Sequence, residues 1–214
     1  MNPACTLKST STGLGSCIQM RRLVLPVIAL VVVGIVVLGL TQTGGQKKTP
    51  DRLTLAEMQR SLRGAPAPLA AVYRRGNTVV GGSTKAFQQQ VDQLKGHPVV
   101  INKWASWCGP CRTEFPIFQR AASKYGKQVA FVGVNANDHD TAARNFLKSE
   151  ALPYPSYSDR NLAISGKLGI VPIFPTTVFL DRNGKRQYIH QGYYTSTDAL
   201  ARDIRRYALG SSTQ

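Results

Sequence analysis

Two cysteines separated by two residues are the part of this sequence best suited to chemistry. Cys108 and Cys111 enclose Gly109 and Pro110, and Trp107 precedes them. Because an apolar run comes before the motif and a segment with helical spacing follows it, we predict that Cys108 lies at the start of a helix. There the unpaired backbone N–H groups and the positive end of the helix dipole favour a thiolate over a thiol. The motif therefore predicts a redox centre in which two thiols and a disulfide interconvert.

Two other uses of the motif fit the sequence less well. A zinc knuckle needs two further ligands, but no cysteine follows the motif, and His97, His139 and His190 show no paired spacing. A structural disulfide across so short a loop adds little loop-closure stabilisation. His139 lies between two aspartates, which indicates a helix N-cap with an acidic first turn rather than a metal ligand. We therefore predict no metal site.

The segment at 103–116, KWASWCGPCRTEFP, resembles the active-site segment of thioredoxin-like proteins. It is most similar to that of the TlpA/ResA group, which are membrane-tethered bacterial thiol–disulfide oxidoreductases, and the RTEFP continuation separates it from cytoplasmic thioredoxin. The segment FPTTVFLD at 174–181 continues the match, and the resemblance covers residues 66–209. It implies an α/β thioredoxin-like fold with a central mixed β-sheet flanked by helices. It also implies thiol–disulfide exchange with no cofactor beyond a Cys108–Cys111 disulfide.

The predicted site consists of the two cysteines and a proline loop, the segment VPIFP at 171–175. Cys108 is expected to be the nucleophile and Cys111 the resolving thiol. The resemblance makes Pro175 the family's cis-proline, which would leave the Phe174 backbone free to pair with an extended substrate segment. Pro172 is a rival for that role, and two trans prolines are the alternative for both. The other predicted substrate-binding residues lie beside the cysteines: Trp107, Gly109 and Pro110.

Three polar residues near the motif are candidates for supporting roles in the chemistry. Glu114 follows Cys111 by three residues, hence on the same helix face, where the resemblance implies an acid that takes part in proton movement. An exposed glutamate favoured by the helix dipole is the alternative. Asn102 stands where thioredoxin has a buried acid, so that relay role is not carried over. Lys103 is costly in a buried strand unless paired, and we expect it to reach Glu114 or the thiolate.

The elements that must position these residues follow from hydrophobic spacing and turn signals. In chain order the predicted elements are a helix opened by the Thr54–Glu57 capping box and ended near Gly64, an irregular or hairpin-like stretch at 66–82, a helix capped by Ser83, a buried strand from Val99, the active-site helix, a strand at 128–135, a helix capped by Asp138, strands at 176–180 and 187–190 joined by a turn at 181–184, and a helix at 196–209. Helices alternate with strands before a final hairpin and helix, which predicts a central sheet covered on both faces.

The N-terminal part of the chain predicts a membrane anchor. Residues 23–40 are uncharged, and a helix of that length reaches about 27 Å, close to the roughly 30 Å of a hydrocarbon core. We predict a transmembrane signal anchor at 20–41, after a disordered leader at 1–19, for which a mis-assigned start is the alternative. A linker with a short helix at 42–65, the thioredoxin-like domain at 66–209 and a disordered tail at 210–214 complete the chain. A cleaved signal peptide is the alternative to the anchor.

Charge and cysteine content indicate a location and partners. The formal net charge is +16, but the basic residues are scattered and lack interleaved aromatic residues, which disfavours nucleic-acid binding and suits a surface near anionic lipid. A redox pair without structural disulfides fits a compartment that permits disulfides. Together with the predicted anchor, the resemblance to the TlpA/ResA group implies a single-pass protein of the bacterial cell membrane with an extracytoplasmic catalytic domain. Its predicted partners are cysteine-containing exported proteins and a membrane redox protein that resets the pair.

The function predicted from these features is disulfide exchange with exported proteins. The resemblance to the TlpA/ResA group and the Gly-Pro dipeptide between the cysteines favour a reducing role, including cytochrome c maturation. A tethered chaperone or adaptor of the same fold, which binds extended peptides without catalysis, is the alternative. A peroxidase of related fold would need a cysteine placed for peroxide attack, and the C-x-x-C arrangement argues against it.

Overall fold

The computed structural model describes residues 52–81 and 84–210. The predicted leader, the anchor at 20–41, the Ser83 cap and most of the tail lie outside these residues. Within them, no helix is both long enough and apolar enough to span a lipid bilayer. In chain order the elements are α1 (Leu55–Ser61), α2 (Ala67–Tyr73), β1 (Val79–Val80), α3 (Thr84–Gln93), β2 (Val99–Trp104), α4 (Gly109–Tyr125), β3 (Ala130–Ala136), α5 (Asp140–Ser149), β4 (Ser156–Asp159), α6 (Ala163–Lys167), β5 (Thr176–Leu180), β6 (Arg186–Gln191), α7 (Thr197–Asp203) and a π-helical turn (Ile204–Ala208).

The strands form one mixed sheet in the order β1-β4-β3-β2-β5-β6. The pairs β1–β4, β4–β3 and β3–β2 are parallel, whereas β5 pairs antiparallel with both β2 and β6. Every residue of β2 and β3 is buried, as expected for central strands covered on both faces by helices. The predicted α/β fold with a central mixed sheet is confirmed.

The prolines and glycines at 66–82 predicted an irregular or hairpin-like stretch, and its described residues, 66–81, differ from that prediction. They contain helix α2 and the short strand β1. Pro66 stands at the N-cap of α2, where a missing N–H costs nothing, so this proline opens a helix rather than preventing one. Leu69, Val72 and Tyr73 then share one helix face and are buried, and the Tyr73 hydroxyl donates to the Val129 carbonyl over 2.7 Å. This packing holds α2 against the start of β3.

Two further elements, β4 and α6, were not predicted at all. Strand β4 has the polar sequence SYSD, yet all four of its residues are buried. Its pairing with β1 and β3 defines it as a strand, and hydrophobic alternation plays no part. Helix α6 begins after Asp159, whose carboxylate accepts hydrogen bonds from the backbone N–H groups of Ile164 and Ser165 at 2.8 Å each. Strand β4 therefore depends on pairing with distant parts of the chain. Helix α6 instead begins at hydrogen bonds from a carboxylate only five and six residues earlier.

The predicted helix starts have mixed outcomes. The capping box is confirmed, because the Thr54 side chain accepts from the Glu57 N–H and the Glu57 carboxylate accepts from the Thr54 N–H. Asp138 does not cap the helix that follows it. His139 occupies the N-cap position of α5 without a side-chain hydrogen bond to the helix, and Asp140 lies in the first turn. The last helix starts at Ser196 as predicted, and the Ser196 hydroxyl accepts from a backbone N–H.

Three aromatic rings beneath the cysteines join the sheet to two helices. Trp104 at the end of β2 lies 5.3 Å from Phe115 of α4 and 5.3 Å from Phe146 of α5, measured between ring centroids. Phe115 and Phe146 are themselves 5.1 Å apart in an edge-to-face arrangement. Such contacts between buried rings add to the free energy of their burial. They fix the start of α4 relative to the end of β2. The Cys-x-x-Cys motif lies at this junction, with Cys108 at the N-cap of α4 and Cys111 in its first turn.

Candidate active site

The cysteine pair lies where β2 gives way to α4. Cys108 is the N-cap of α4, and its sulfur accepts a hydrogen bond from the Cys111 backbone N–H at 3.1 Å. The two residues are joined by a disulfide with Cα atoms 5.3 Å apart. Cys111 is fully buried, whereas 4% of Cys108 is exposed. A backbone donor and the helix dipole therefore act on the sulfur that solvent reaches, and both favour a thiolate when the pair is reduced.

Trp107 and the proline loop form the surface around Cys108. The Phe174–Pro175 peptide bond is cis, and no other cis bond occurs in the part of the chain that the structure describes. The Trp107 ring lies 4.9 Å from the Phe174 ring, and its Nε1 donates to the Asn137 carbonyl at 2.9 Å. The structure thus brings Trp107, Phe174 and Pro175 together beside the cysteines. Gly109 and Pro110 are exposed in the first turn of α4.

Asp138 supports the loop that leads into the cysteines. Its carboxylate accepts from the Ser106 N–H at 2.6 Å, the Ser106 hydroxyl at 2.9 Å and the Asn135 amide at 2.9 Å. These bonds explain why Asp138 does not cap α5, since its oxygens are directed to the neighbouring loop. The sequence pattern of an acid before a helix favoured the cap, and the role of Asp138 in the site was missed.

Glu114 is buried, which excludes the exposed glutamate considered as an alternative. It has no exposed surface, and its carboxylate accepts from the Asn102 amide at 2.7 Å and from the Tyr194 N–H at 3.2 Å. Burial raises the pKa of Glu114 from 4.5 to about 8, although the two hydrogen bonds partly oppose this. Glu114 lies one helical turn beyond Cys111 on the same face of α4. An acid that is protonated at neutral pH therefore lies on the Cys111 face of the helix.

Lys103 does not reach Glu114 or the cysteines. Successive side chains of a strand point to opposite faces of the sheet, so Lys103 lies on the face opposite Asn102 and its partner Glu114. Its ammonium group instead donates to the Val171 carbonyl at 2.9 Å and lies 4.2 Å from the centre of the Phe174 ring. The prediction was wrong because it considered proximity along the sequence without the alternation of faces.

The family of the chain follows from comparison with known proteins. The family model described as Redoxin matches residues 74–204, which is more than half of the chain. We call these residues the redoxin domain. The chain belongs to the Redoxin family.

Individual relatives agree with this family and with the predicted ResA type. The chain is 34% identical over 97 residues to the thiol-disulfide oxidoreductase ResA of Bacillus thuringiensis (strain Al Hakam), covering 45% of this chain and 56% of that protein. It is 32% identical over 132 residues to ResA of Oceanobacillus iheyensis, covering 58% of this chain and 68% of that protein. The chain thus spans little more than half the length of the first of these relatives.

A solved structure supports the fold independently. A thiol:disulfide interchange protein DsbE from Chlorobium tepidum superposes with a TM-score of 0.51 at 31% identity, covering 55% of this chain and 84% of that chain. Together with the ResA relatives, this match confirms the thioredoxin-like, ResA-type resemblance predicted from the sequence around the cysteines.

The redoxin domain exposes a group of large apolar side chains near the cysteines. Among the described residues, the large hydrophobic side chains with most exposure are Trp107 at 57%, Tyr193 at 46%, Val171 at 43% and Ile173 at 42%. Val171 and Ile173 belong to the proline loop. Tyr193 lies near that loop, since the preceding glycine donates its N–H to the Pro175 carbonyl at 3.0 Å. Sequence reasoning missed all but Trp107, because only the fold brings these positions together.

The histidines form no metal site among the residues that the structure describes. Within residues 52–81 and 84–210, no group of three or more His, Cys, Asp and Glu side chains is arranged to hold a metal ion. His139 Nδ1 instead lies 3.1 Å from the Arg160 guanidinium. His190 stacks on Tyr194 with ring centroids 4.0 Å apart.

Proposed function

We propose that this protein is a thiol–disulfide oxidoreductase that reduces disulfides in exported proteins. The observation that carries the proposal is the unequal placement of the two sulfurs. Cys108 has exposed surface and accepts a backbone N–H at the start of α4, whereas Cys111 is buried behind it. This arrangement suits attack by the first sulfur on a large substrate and resolution by the second, which no bulky substrate can reach.

The reduction proceeds in two exchanges. The Cys108 thiolate attacks one sulfur of the substrate disulfide, so that a Cys108–substrate bond forms while the substrate S–S bond breaks, and the other substrate sulfur leaves as a thiolate. Cys111 then loses its proton and attacks the Cys108 sulfur. The Cys108–Cys111 disulfide forms and the second substrate sulfur leaves. Two electrons pass from the cysteine pair to the substrate, and a membrane redox partner restores the two thiols.

Glu114 is the group that takes up and returns the proton of Cys111. A general acid or base is most effective when its pKa lies near the operating pH, because both of its protonation states are then available. Burial brings the pKa of Glu114 to about 8, close to the value of roughly 8.5 for a free thiol. A proton therefore moves between the two groups at little cost in either direction, which suits a pair that must be oxidised and reduced in turn.

The substrate binds as an extended segment against the proline loop. The Phe174 backbone N–H and C=O have no hydrogen-bond partner among the described residues, and Thr176 opens strand β5 two residues later. An extended chain carrying the substrate cysteine can pair with these groups. Trp107, Gly109 and Pro110 form the opposite side of the binding surface. The exposed apolar side chains nearby favour segments with apolar residues flanking the cysteine.

The cellular setting is part of the same proposal. The uncharged run at 23–40 supports a membrane anchor with an extracytoplasmic redoxin domain, and the charge of +16 suits a position near anionic lipid. The resemblance to the TlpA/ResA group supports a reducing role in cytochrome c maturation. Mass spectrometry of the mature N-terminus tests the anchor, because a start near Gln42 would show that the run is cleaved.

The direction of electron flow is tested by the reduction potential of the Cys108–Cys111 pair, measured against glutathione. A value near −270 mV, roughly that of thioredoxin, supports a reductant, and a value near −120 mV, roughly that of DsbA, contradicts it. The Cys108→Ser variant tests catalysis itself. If the protein is a binding module, this variant keeps its function in cells, whereas an oxidoreductase loses it.

A further inference from the structure

Lys103 is an unusual residue for its position in the fold. It lies on the central strand β2, paired with Val134 of β3 and Thr176 of β5, and none of its surface is exposed. Within residues 52–81 and 84–210 it forms no salt bridge. Burial lowers the pKa of Lys103, and the charge of Asp159 opposes this only in part. A buried ammonium group without an ion-pair partner lowers the free energy of unfolding. Stability therefore does not explain why a lysine stands here, and its contacts indicate its role.

Both contacts of the Lys103 ammonium group lie in one segment, residues 171–175. It donates to the Val171 carbonyl at 2.9 Å, near the start of this segment, and lies 4.2 Å from the Phe174 ring, next to the cis-proline. The Val171 side chain, and that of Ile173 between the two contacts, face solvent at 43% and 42% exposure. The segment therefore has few apolar anchors of its own, and Lys103 attaches it to the sheet at both ends.

The contact with Phe174 continues to the cysteines. The face of an aromatic ring attracts a cation, and the attraction is stronger where water is excluded. The Phe174 ring in turn lies 4.9 Å from the Trp107 ring, and Trp107 directly precedes Cys108. A chain of contacts thus runs from the ammonium group through Phe174 to the residue beside the nucleophile.

We propose that Lys103 is a positioning residue that holds the segment 171–175 against Trp107, so that an extended substrate meets the proline loop and Cys108 in a single geometry. The inference rests on the proposed function, since it concerns how that substrate is bound. An apolar side chain of similar length would fill the same space. It would not donate to the Val171 carbonyl or attract the Phe174 ring, and the loop would lose its attachment to β2.

The test compares Lys103→Met with the wild-type protein and with Lys95→Met, which removes a lysine whose side chain is 64% exposed. The first measurement is amide hydrogen exchange across residues 168–176 of the oxidised protein, followed by mass spectrometry. We expect exchange in this segment to be at least tenfold faster in Lys103→Met and unchanged in Lys95→Met. The melting temperature of Lys103→Met should equal or exceed that of the wild type, because a buried charge is removed.

The second measurement separates binding from chemistry. The substrate is a disulfide-linked dimer of a short peptide with one cysteine flanked by leucines, and glutathione disulfide is the small reference substrate. We expect Lys103→Met to raise KM for the peptide dimer at least fivefold while kcat changes less than twofold. The rate with glutathione disulfide, which is too small to depend on the loop, should also change less than twofold.

A second variant keeps the proposal testable if Lys103→Met folds poorly. Phe174→Leu removes the ring but leaves the bond to the Val171 carbonyl, so we expect faster loop exchange than in the wild type and, where both variants fold, slower exchange than in Lys103→Met. Wild-type loop exchange in either variant, or an unchanged peptide KM in Lys103→Met, would overturn the proposal. If the wild-type protein reduces neither disulfide, the proposed function fails, and hydrogen exchange still decides whether Lys103 holds the loop.

Discussion

Replacing Glu114 with glutamine tests the central electrostatic feature of the site. In the folded protein, burial raises the pKa of Glu114 from 4.5 to about 8. The folded state therefore binds this proton more tightly than the unfolded state, and the free energy of unfolding falls as pH rises between these two values. Below pH 4.5 both states hold the proton, and above pH 8 both have lost it. Between pH 4.5 and pH 8, the titration of Glu114 lowers the free energy of unfolding of the wild-type protein by at most about 5 kcal/mol.

Glutamine copies the protonated form of the acid and does not titrate. It also preserves the local hydrogen bonds, because the Asn102 amide can turn so that its unpartnered Oδ1 accepts from the new side-chain amide. The new carbonyl oxygen then accepts from the Tyr194 N–H. We expect Glu114→Gln to match the wild type near pH 4.5 and to be more stable by up to about 5 kcal/mol at pH 9.

Urea unfolding of the oxidised proteins at intervals from pH 4.5 to 9 measures this difference directly. The disulfide keeps the cysteines from titrating, and other groups contribute equally to both proteins. Parallel stability curves for the two proteins would refute the assignment of a raised pKa to Glu114. In the reduced proteins, the titration of the buried Cys111 thiol should also change in Glu114→Gln, and an unchanged titration would remove Glu114 from the proton path.

Three further predictions test the site and its support. Cys111→Ser should accumulate a mixed disulfide with substrate, seen as a mass increase that dithiothreitol reverses, whereas Cys108→Ser should form none, and equal trapping by both variants would contradict the assigned roles. Asp138→Ala should lower the free energy of unfolding by about 1–3 kcal/mol in urea, because it removes the acceptor of several buried or partly buried hydrogen bonds. The exposed Asp92→Ala is its control and should change stability by less than about 0.5 kcal/mol. Gly133→Ala should cost about 1–3 kcal/mol in the same assay, since a Cβ there would overlap the facing serine of β4, and wild-type stability would show that the strands can separate.

The sequence predicted the parts of the site that depend on local signals. The start of α4 at the cysteines follows from the apolar run before them and from Pro110, a residue suited to the first turn of a helix. The chain after residue 174 was predicted in outline for a similar reason, because the turn at 181–184 is marked by Asp181 and Gly184.

The parts that the sequence did not predict depend on contacts between distant residues. The spacing of Glu114 indicated its helix face, but its burial is completed by Tyr194, a residue 80 positions away. Lys103 finds its partner 68 positions later, in a loop whose course no local pattern fixes. Asp138 looked like a helix cap because the competing donors at Ser106 lie 32 positions earlier in the chain.

The pairing of β2 with β5 has a consequence for variation in this family. The segments that carry the cysteines and the cis-proline each extend from the end of a strand, and Lys103 opposite Thr176 is the last residue pair before both. The 72 residues between these two positions hold the cysteines near their start and the cis-proline at their end, and they include β3 and β4 of the same sheet. Insertions or deletions in the loops between these elements can therefore alter the size of the protein while the two halves of the site stay aligned. A slip of one residue between the two strands would instead turn every paired side chain to the wrong face and dismantle the site at once.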